Sequence, residues 1–382
     1  METIYFDHAA TTPLHPEVIN KMTDVMKQNY GNPSSIHQYG RHARKVVDEA
    51  RRVIAQSIKA DERDIIFTSG GTEADNLAVV GTALKYRDKG KHIITTNIEH
   101  HAVLDSCHYL ETIGFDVTYL PVNTKGVVEL DDVKQALRDD TILVSIMMVN
   151  NEVGSIQPIE DIGALIKDHQ AYFHTDAVQA YGIMPMDVNK LGVDLLTLTA
   201  HKINGPKGIG ALYKKHDVKL QARHFGGEQE RKRRPGTENI VGIVGFKSAV
   251  ELIHGTELHR NAHYQRIKKL FFNELNTLSN VCVNSELDET SPLILNVSFL
   301  GTHIEQVLMN LDLEGILVSS GSACTAGAME SSHVLTAIYG EQSERTKSAI
   351  RFSFGINHSD ENIKEAARRV KQVIERLRKL NN

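Results

Sequence analysis

Short apolar runs alternate with amphipathic stretches from about residue 64 onward, and this alternation limits the possible folds more than any other feature. The apolar runs have the length and the β-branched content of strands, and helical patterns separate most of them. Strands are predicted at 65–68, 92–96, 115–120, 141–149, 171–174, 193–199 and 209–213, and helices at 16–28, 72–86, 102–113 and 159–169. Strands joined by helices pair in parallel and are covered on both faces. The prediction is an α/β fold with a mostly parallel seven-stranded sheet and helices on both faces.

The pattern changes after about residue 255, where a long charged helix is predicted at 258–278. Shorter elements follow, with strands at 293–299, 316–319 and 349–354 and helices at 304–311, near Val334 and at 360–380. This mixture is typical of a smaller C-terminal α+β domain. We therefore expect a large domain at 16–255 and a small domain that combines 1–15 with 256–382.

Composition and charge exclude several classes of partner. The 382 residues carry 43 basic and 48 acidic side chains, a formal net charge of −5, so neither a nucleic acid nor an anionic membrane is expected as the main partner. No apolar run is long enough to span a bilayer, and the first residues lack the basic start and the apolar core of a signal peptide. The expected location is the cytoplasm.

The three cysteines, Cys107, Cys282 and Cys324, are far apart and form no C-x-x-C pair. Neither a disulfide framework nor a cysteine zinc site is therefore expected, and no metal site is predicted. A buried structural cysteine is expected to lie in an apolar segment, as Cys282 does, or in a helix, as Cys107 does. A functional cysteine in this chain is expected to act as a thiol.

Lys202 follows a predicted strand and precedes the turn formed by Gly205 and Pro206. Burial at such a position lowers the pKa of an amine, and a lysine of that kind is able to form a Schiff base. Taken alone, a lysine in this context is usually a solvated charge, since lysine is rarely buried. Its assignment therefore depends on what the other strand ends carry.

Polar residues at the other strand ends form a chemically consistent set. Gly71 and Thr72 begin a predicted helix with Thr72 as its cap, which suits a phosphate group. Asp176 and Gln179 follow another strand, where a carboxylate could keep a ring nitrogen protonated and an amide could bond a ring oxygen. His100 follows a third strand, where an imidazole could stack on a flat ring or act in catalysis by shuttling a proton. Each motif alone also fits an ordinary cap or turn.

Together these groups supply what pyridoxal 5'-phosphate requires of a protein, namely a phosphate cradle, a stacking imidazole, an acid for the pyridine nitrogen and a lysine. In open α/β sheets, ligands bind at the carboxyl ends of the strands, where these residues fall one after another. The sequence therefore predicts pyridoxal 5'-phosphate as the cofactor and Lys202 as the residue that holds it covalently.

Eight segments closely resemble the NifS/IscS-type cysteine desulfurases, which belong to class V of the fold-type I pyridoxal-phosphate aminotransferase superfamily. The segments are DHAATT from Asp7, GNPSS from Gly31, TSGGTE from Thr68, EH from Glu99, VNNEVG from Val149, DAVQ from Asp176, HKINGPKG from His201 and SSGSAC from Ser319. The resemblance covers nearly the whole chain and implies a fold-type I large domain in a homodimer with active sites at the subunit interface. It also implies removal of sulfur from L-cysteine to give L-alanine and a persulfide on the enzyme.

The resemblance assigns roles to the residues that match the family's motifs. Lys202 would hold the cofactor and move protons, and His100 would stack on its ring. Asp176 would pair with the pyridine nitrogen and Gln179 with the phenolic oxygen. The protonated ring would draw electrons from the substrate's α-carbon. The proton shift at that carbon would then weaken the carbon–sulfur bond of the substrate's side chain.

The remaining matches concern the phosphate and the substrate carboxylate. The phosphate contacts would be Gly71, Thr72, Thr199 and His201, with Thr237 reaching the phosphate from the other subunit. Asn151 and Arg351 would hold the substrate carboxylate, and Asn151 is also expected to contact the cofactor. Arg351 suits this role independently, because a guanidinium binds a carboxylate through two hydrogen bonds, although a surface salt bridge would fit its sequence context equally well.

Cys324 would set the desulfurases apart from other class V enzymes. It lies in the segment 319–328, which consists almost wholly of small residues and so permits large backbone excursions. A thiol there is expected to attack the sulfur of the substrate and to carry it as a persulfide. The sulfur would then pass to an acceptor protein, either an iron–sulfur scaffold or a tRNA-thiolation enzyme.

Other functions fit parts of the pattern. A selenocysteine lyase would use the same cofactor residues, and an aminotransferase would form a keto acid without needing Cys324. The protein could instead act mainly as a sulfur-donating interaction partner, or bind RNA through the basic run 231–234. That run is flanked by Glu228, Glu230 and Glu238 and has no aromatic partners, which favours a solvated or interface loop. The tract 231–238, which contains Thr237, is also shorter than in some members of the family that the chain resembles, and Thr237 is the least secure of the phosphate contacts.

Overall fold

The computed structural model describes residues 2–284, 287–321 and 331–381. Its strands are β1 (Ile4–Tyr5), β2 (Ile65–Thr68), β3 (His92–Thr96), β4 (Asp116–Leu120), β5 (Thr141–Ser145), β6 (Tyr172–Asp176), β7 (Leu195–Thr199), β8 (Gly210–Lys214), β9 (Val281–Val283), β10 (Ile294–Phe299), β11 (Ile316–Leu317) and β12 (Ala349–Ser353). Its helices are α1 (Pro16–Gln28), α2 (Gln38–Ser57), α3 (Gly71–Tyr86), α4 (His101–Thr112), α5 (Leu130–Ala136), α6 (Ile159–Ile166), α7 (Val188–Leu191), α8 (Gln229–Lys232), α9 (Ile240–Ile253), α10 (Glu257–Leu275), α11 (Ile304–Leu313), α12 (His333–Tyr339), α13 (Glu344–Lys347) and α14 (Asp360–Asn381). Within these ranges, no helix is both long and apolar enough to cross a bilayer.

Seven strands form the central sheet in the order β2-β8-β7-β6-β5-β3-β4. The strands from β3 to β7 pair in parallel, because a helix connects each one to the next along the chain. Only a turn separates β7 from β8, so β8 returns antiparallel to both of its neighbours. Most of these strands are buried along their whole length, as expected for a sheet covered by helices. The predicted fold class is confirmed.

Most predicted elements coincide with the observed ones, and α1 and β3 match at both ends. The prediction for β5 was too long, since this strand ends at Ser145. Beyond Ser145, the N–H group of Met147 donates to the carboxylate of Glu99 (3.0 Å) and not to a backbone carbonyl of β3. The hydrogen-bond ladder between β5 and β3 therefore does not continue. Helix α9 was missed, because its apolar residues are buried on nearly all sides and leave no amphipathic period.

The remaining strands form a three-stranded antiparallel sheet, β12-β10-β9, and a parallel pair, β1-β11. A second apolar core lies between these strands and α10, α11 and α14. The rings of Phe6, Phe271 and Phe352 meet there, with centroids 4.8 to 6.1 Å apart. The first residues of the chain therefore share a core with its C-terminal part, while the proposed domain boundaries stay a prediction.

A buried lysine in this second core makes stability depend on pH. Nζ of Lys268 donates to Thr290 Oγ1 (2.8 Å) and to the Ser291 carbonyl (3.0 Å), and burial lowers the pKa of Lys268 to about 7. This pKa lies below the ordinary value of 10.5, so unfolding takes up a proton between these two pH values. The stability of the native protein relative to Lys268→Met is therefore expected to rise with pH across this window, by about 1 kcal/mol per pH unit. Urea unfolding of both proteins at about pH 7 and about pH 9 measures the effect, and a difference that does not change with pH would contradict it.

Candidate active site

One cavity of about 370 Å³ lies at the carboxyl ends of the central parallel strands. It is lined by Ala9, Ala10, Gly71, Thr72, Asp75, His100, Met147, Asn151, Asp176, Val178, Gln179, Thr199, His201, Lys202, Gly321 and Arg351. Ten of the twelve residues predicted to bind cofactor or substrate or to act in catalysis are among them. Of the other two, Thr237 does not line this cavity and Cys324 lies outside the described residues.

Lys202 lies on the turn after β7, and the first residues of the chain hold its side chain. Its Nζ donates to the carbonyls of Ala9 and Ala10, the latter at 2.7 Å. The turn itself is fixed to the same segment, because the N–H group and the hydroxyl of Thr12 both donate to the His201 carbonyl (2.9 and 2.7 Å). The lysine is thus placed by a segment nearly two hundred residues away in sequence.

Asp176 is the last residue of β6 and Gln179 follows three residues later. Both side chains line the cavity, and different hydrogen bonds hold them. Oδ1 of Asp176 accepts from the Val178 N–H group (2.8 Å). Burial raises the pKa of Asp176 to about 6, while the Val178 hydrogen bond and the charge of Lys202 oppose the rise. Nε2 of Gln179 donates to the Ala9 carbonyl (2.9 Å), and its buried Oε1 has no hydrogen-bond partner in the described part of the chain.

Two histidines of the cavity are held in the neutral form. His100 caps α4, where its Nδ1 accepts from the Ala102 N–H group (3.1 Å), so capping and cavity lining are combined in one residue. Burial, followed by the charge of Lys202, lowers the pKa of His100 to about 4. The pKa of His201 is also lowered to about 4, again mainly by burial. Near neutral pH both imidazoles are therefore uncharged.

The first turn of α3 lines the cavity beside the end of β6. The prediction that Thr72 caps this helix is wrong, because the cap position is Gly70, which offers no side-chain hydrogen bond. Glu73 accepts from the Ser69 N–H group (2.8 Å) and so fixes the helix start before Thr72. A Cβ atom at Gly71 would come within 2.9 Å of Val178 Cγ2, so glycine allows the close approach. A helix start of this kind is suited to an anion.

Arg351 projects from β12 into the cavity and is only 3% exposed. Its Nη1 donates to the Asn151 carbonyl (2.9 Å) and its Nη2 to Asp7 Oδ1 (2.9 Å). Its buried Nε has no hydrogen-bond partner among the described residues. Arg351 is therefore a buried arginine of the cavity lining that pairs with the partly buried Asp7, and the alternative of a surface salt bridge is wrong.

One family of known proteins matches almost the entire chain. The family described as "Aminotransferase class-V" matches residues 4–365. The chain belongs to this family. Within the family, its relatives indicate one activity.

Curated relatives and solved structures place the chain among the cysteine desulfurases of class V. "Putative cysteine desulfurase IscS 1" of Bacillus subtilis (strain 168) is 55% identical over 99% of this chain and 100% of its own length. "Cysteine desulfurase IscS" of Dictyoglomus turgidum is 46% identical over 99% of this chain and 96% of its own. A solved "NIFS-LIKE PROTEIN" superposes with a TM-score of 0.93 at 34% identity, over 98% of this chain and 100% of that one. The predicted relation to the NifS/IscS-type desulfurases is confirmed.

Asp75 is a cavity residue of this desulfurase that the sequence analysis missed. It lies on α3, is 1% exposed, and its Oδ1 is 3.6 Å from Nε2 of His174 without forming a hydrogen bond in the described chain. Burial and the neighbouring Asp176 raise the pKa of Asp75 well above its ordinary value. The signal that could have revealed it is an acidic residue among the apolar residues of the helix face that packs on the sheet.

The remaining predictions concern cysteines. Cys107 is buried in α4, and burial raises the pKa of its thiol, as suits a structural cysteine. Cys282 on β9 is only half-buried, so the expectation that it is buried is wrong. The short strand β9 lies at the edge of its sheet and leaves this side chain partly open.

The basic run 231–234 is engaged with the rest of the desulfurase. Arg234 pairs with Glu73 at the start of α3 (2.8 Å), and Lys232 pairs with Glu228 (2.8 Å). The flanking Glu230 forms a buried ion pair with Arg51 (2.6 Å). These ion pairs give RNA binding no added support, and the interpretation of the run as a solvated or interface loop stays a prediction.

Proposed function

We propose that this cysteine desulfurase binds pyridoxal 5'-phosphate in the cavity at the strand ends and removes sulfur from L-cysteine there. The observation that carries the proposal is the convergence of Lys202, Asp176, Gln179 and the start of α3 on one cavity. When bound, the cofactor would supply an electron sink for the α-carbon of an amino acid. The protein would supply attachment, orientation and proton transfer.

Three features of the cavity fit the cofactor. The unpartnered Oε1 of Gln179 suits a phenolic hydroxyl, which would donate to it. The buried carboxylate of Asp176 suits a protonated ring nitrogen, whose positive charge would lower the pKa of that carboxylate. The start of α3 with Gly71 and Thr72, together with Thr199 and His201, would hold the phosphate.

Lys202 would perform the covalent attachment and the proton transfer. Its Nζ already lies in the cavity, held by backbone carbonyls that leave it within reach of a ligand. With the substrate bound, the amine of Lys202 would take the proton from the substrate's α-carbon. His100, uncharged and packed at the cavity wall, would stack on the ring and hold its plane.

Asn151 and Arg351, which are joined by a hydrogen bond in the cavity wall, would hold the substrate carboxylate. Arg351 is buried and fixed by two hydrogen bonds, and its Nε remains available for a third. A fixed guanidinium binds a carboxylate with defined geometry at little cost in conformational entropy. Gly321 lines the same cavity as these two residues.

Replacing Arg351 by lysine is expected to raise the KM for L-cysteine by about tenfold to a hundredfold, because a single ammonium cannot reproduce the paired hydrogen bonds. The kcat value should fall less, since the groups at the α-carbon stay in place. Steady-state kinetics measure both constants, and Arg345→Lys in the short helix α13 is the matched control. A KM that stays within about twofold of the native value would contradict the assignment of Arg351.

Cys324, three residues after the cavity residue Gly321, would take up the sulfur. Its thiolate would form a bond to the substrate's sulfur while the carbon–sulfur bond breaks and leaves its electron pair with the carbon skeleton. Protonation of that skeleton gives L-alanine, and the sulfur remains on Cys324 as a persulfide. The persulfide would pass to an acceptor such as an iron–sulfur scaffold protein or a tRNA-thiolation enzyme.

A homodimer in the cytoplasm belongs to the same proposal. Large apolar side chains of the loop between α1 and α2 are strongly exposed, with Ile36 at 90% and Tyr30 at 74%, and Met26 on α1 is 58% exposed. Such a surface is typical of an interface. Thr237 is exposed and lies outside its own subunit's cavity, which fits a residue that completes the phosphate site of a second copy.

The purified protein loaded with pyridoxal phosphate and mixed with L-cysteine tests the proposal. We expect L-alanine in the solution and one added sulfur atom on the peptide that contains Cys324. A keto acid in place of L-alanine would indicate an aminotransferase. Turnover of selenocysteine with no turnover of cysteine would indicate a selenocysteine lyase, and either result would overturn the proposal.

A further inference from the structure

The carboxylate of Glu152 touches both flanks of the segment that carries Cys324. On one flank, Oγ of Ser332 donates to Oε2 of Glu152 (2.5 Å). On the other flank, a Cβ atom at Gly321 would overlap the same Oε2 atom, so the Gly321 backbone packs directly against the carboxylate. Glu152 is 2% exposed, so these contacts lie inside the protein. A single carboxylate oxygen thus contacts the residues that precede and follow the segment 322–330.

Glu152 is held on a turn that is itself tightly fixed. Its N–H group and that of Val153 both donate to Oδ1 of Asn150 (2.9 Å each), and Nδ2 of Asn150 donates to the Ile98 carbonyl (2.9 Å). The carbonyl of Glu152 accepts from Nδ2 of Asn296 (3.1 Å) on β10. The carboxylate therefore projects from a backbone with little freedom to move.

The same turn leads directly to the substrate side of the cavity. Asn151 precedes Glu152, and its carbonyl accepts from Arg351 (2.9 Å). The far flank is also tied to the cavity, because Nε2 of His333 is 2.9 Å from the carbonyl of Glu99, the residue before His100. Both flanks of the segment are thus attached to strand ends that carry proposed substrate and cofactor contacts.

We propose that Glu152 is a positioning residue for sulfur transfer, which holds Gly321 and Ser332 together and thereby fixes the base from which Cys324 reaches the substrate's sulfur. The proposal rests on the proposed role of Cys324 as the sulfur carrier. Glu152 does not touch the reacting atoms, since it is absent from the described lining of the cavity. Its contribution is to the geometry of approach, to which transfer rates are steeply sensitive.

The contacts of Ser332 explain why an acceptor oxygen is required on the side chain at position 152. Oε2 accepts the Ser332 hydroxyl, which at the same time accepts from the Leu335 N–H group (3.0 Å) and caps α12. Glutamine at position 152 would keep an acceptor oxygen on a side chain of the same length, whereas alanine would remove that oxygen. Threonine at position 332 would keep the donor, whereas alanine would remove it.

The experiment compares Glu152→Ala, Glu152→Gln, Ser332→Ala and Ser332→Thr in the cofactor-loaded protein. In a single turnover with L-cysteine, both alanine variants are expected to form the Cys324 persulfide about tenfold to a hundredfold more slowly. The change in cofactor absorbance on adding L-cysteine should keep its native rate. Glu152→Gln and Ser332→Thr should stay within about threefold of the native persulfide rate, as should the exposed control Glu305→Gln on α11.

A second readout needs no substrate. The rate at which iodoacetamide modifies Cys324, followed by peptide mass, is expected to rise about threefold or more in both alanine variants, because the flanks are no longer held by the carboxylate. The two conservative variants should keep the native rate.

Several outcomes would overturn the proposal. One is a native persulfide rate in Glu152→Ala or in Ser332→Ala, and another is a Glu152→Gln rate as slow as that of Glu152→Ala. If the absorbance change is lost together with persulfide formation, Glu152 contributes to general stability and not to positioning. If Glu152→Ala does not fold, the two Ser332 variants decide the question by the same criteria. Failure of the proposed role of Cys324 would give a different result from failure of the role of Glu152, because the native protein itself would then form no persulfide on Cys324.

Discussion

Replacing Lys202 by alanine is expected to abolish covalent attachment of pyridoxal phosphate and to lower L-alanine formation by roughly four orders of magnitude or more. The Nζ atom of Lys202 lies in the cavity after β7, held by the carbonyls of Ala9 and Ala10. Alanine removes both the amine that bonds the cofactor and the base that takes the α-proton. The two losses affect one reaction, so the combined effect is large.

Borohydride reduction followed by peptide mass analysis locates the covalent attachment, and the cofactor absorbance measures its formation. Lys207→Ala is the matched control, because Lys207 belongs to the same turn but is exposed and does not line the cavity. The control should keep the attachment and most of the activity. Attachment of the reduced cofactor to any other lysine of the native protein would refute the assignment of Lys202.

The convergence of the site could be predicted from the sequence because it follows from topology. His100, Asp176 and Lys202 each lie at or just after the end of a strand in the parallel part of the sheet. The alternation of strands and helices that makes the sheet parallel is visible in the sequence. Parallel strands bring their carboxyl ends to one edge, so these side chains meet without any knowledge of packing.

Contacts between distant segments could not be predicted in the same way. The carbonyls of Ala9 and Ala10 reach Lys202 because the first residues are held beside the cavity, both by the pairing of β1 with β11 and by a hydrogen bond from the Ala9 N–H group to Ser353 Oγ. The carboxylate of Glu99 accepts from the Met147 N–H group beyond the end of β5, a side-chain contact that no periodicity encodes. Asp75 differs, because an acidic residue on the helix face that packs on the sheet is a signal that the sequence itself carries.

The cap of α3 lies two residues before the position that capping propensity predicts. A threonine before a helical run is a good cap by propensity, and Thr72 was predicted to fill that role. Glu73 instead bonds the Ser69 N–H group and extends the helix to Gly71. The functional expectation does not depend on this detail, because an uncapped helix start at Gly70 offers an anion more N–H groups than a capped one.

Replacing Cys324 by serine is expected to separate the two halves of the proposed reaction. Sulfur uptake should fall by roughly a thousandfold or more, because a hydroxyl is a far weaker nucleophile toward sulfur than a thiolate near neutral pH. Attachment of pyridoxal phosphate to Lys202 should be unchanged, since the phosphate, ring and lysine contacts come from other segments. The cofactor absorbance should still respond to L-cysteine.

Single-turnover measurements of L-alanine and of protein-bound sulfur distinguish this expectation from a general loss of activity. Cys282→Ser is the matched control, because Cys282 is a half-buried cysteine on β9, away from the cavity, and its loss should leave both measurements at native values. Full L-alanine output from Cys324→Ser would show that sulfur leaves the substrate without this thiol. In that case Lys202 would remain the centre of the chemistry, but the transfer of sulfur would need another acceptor.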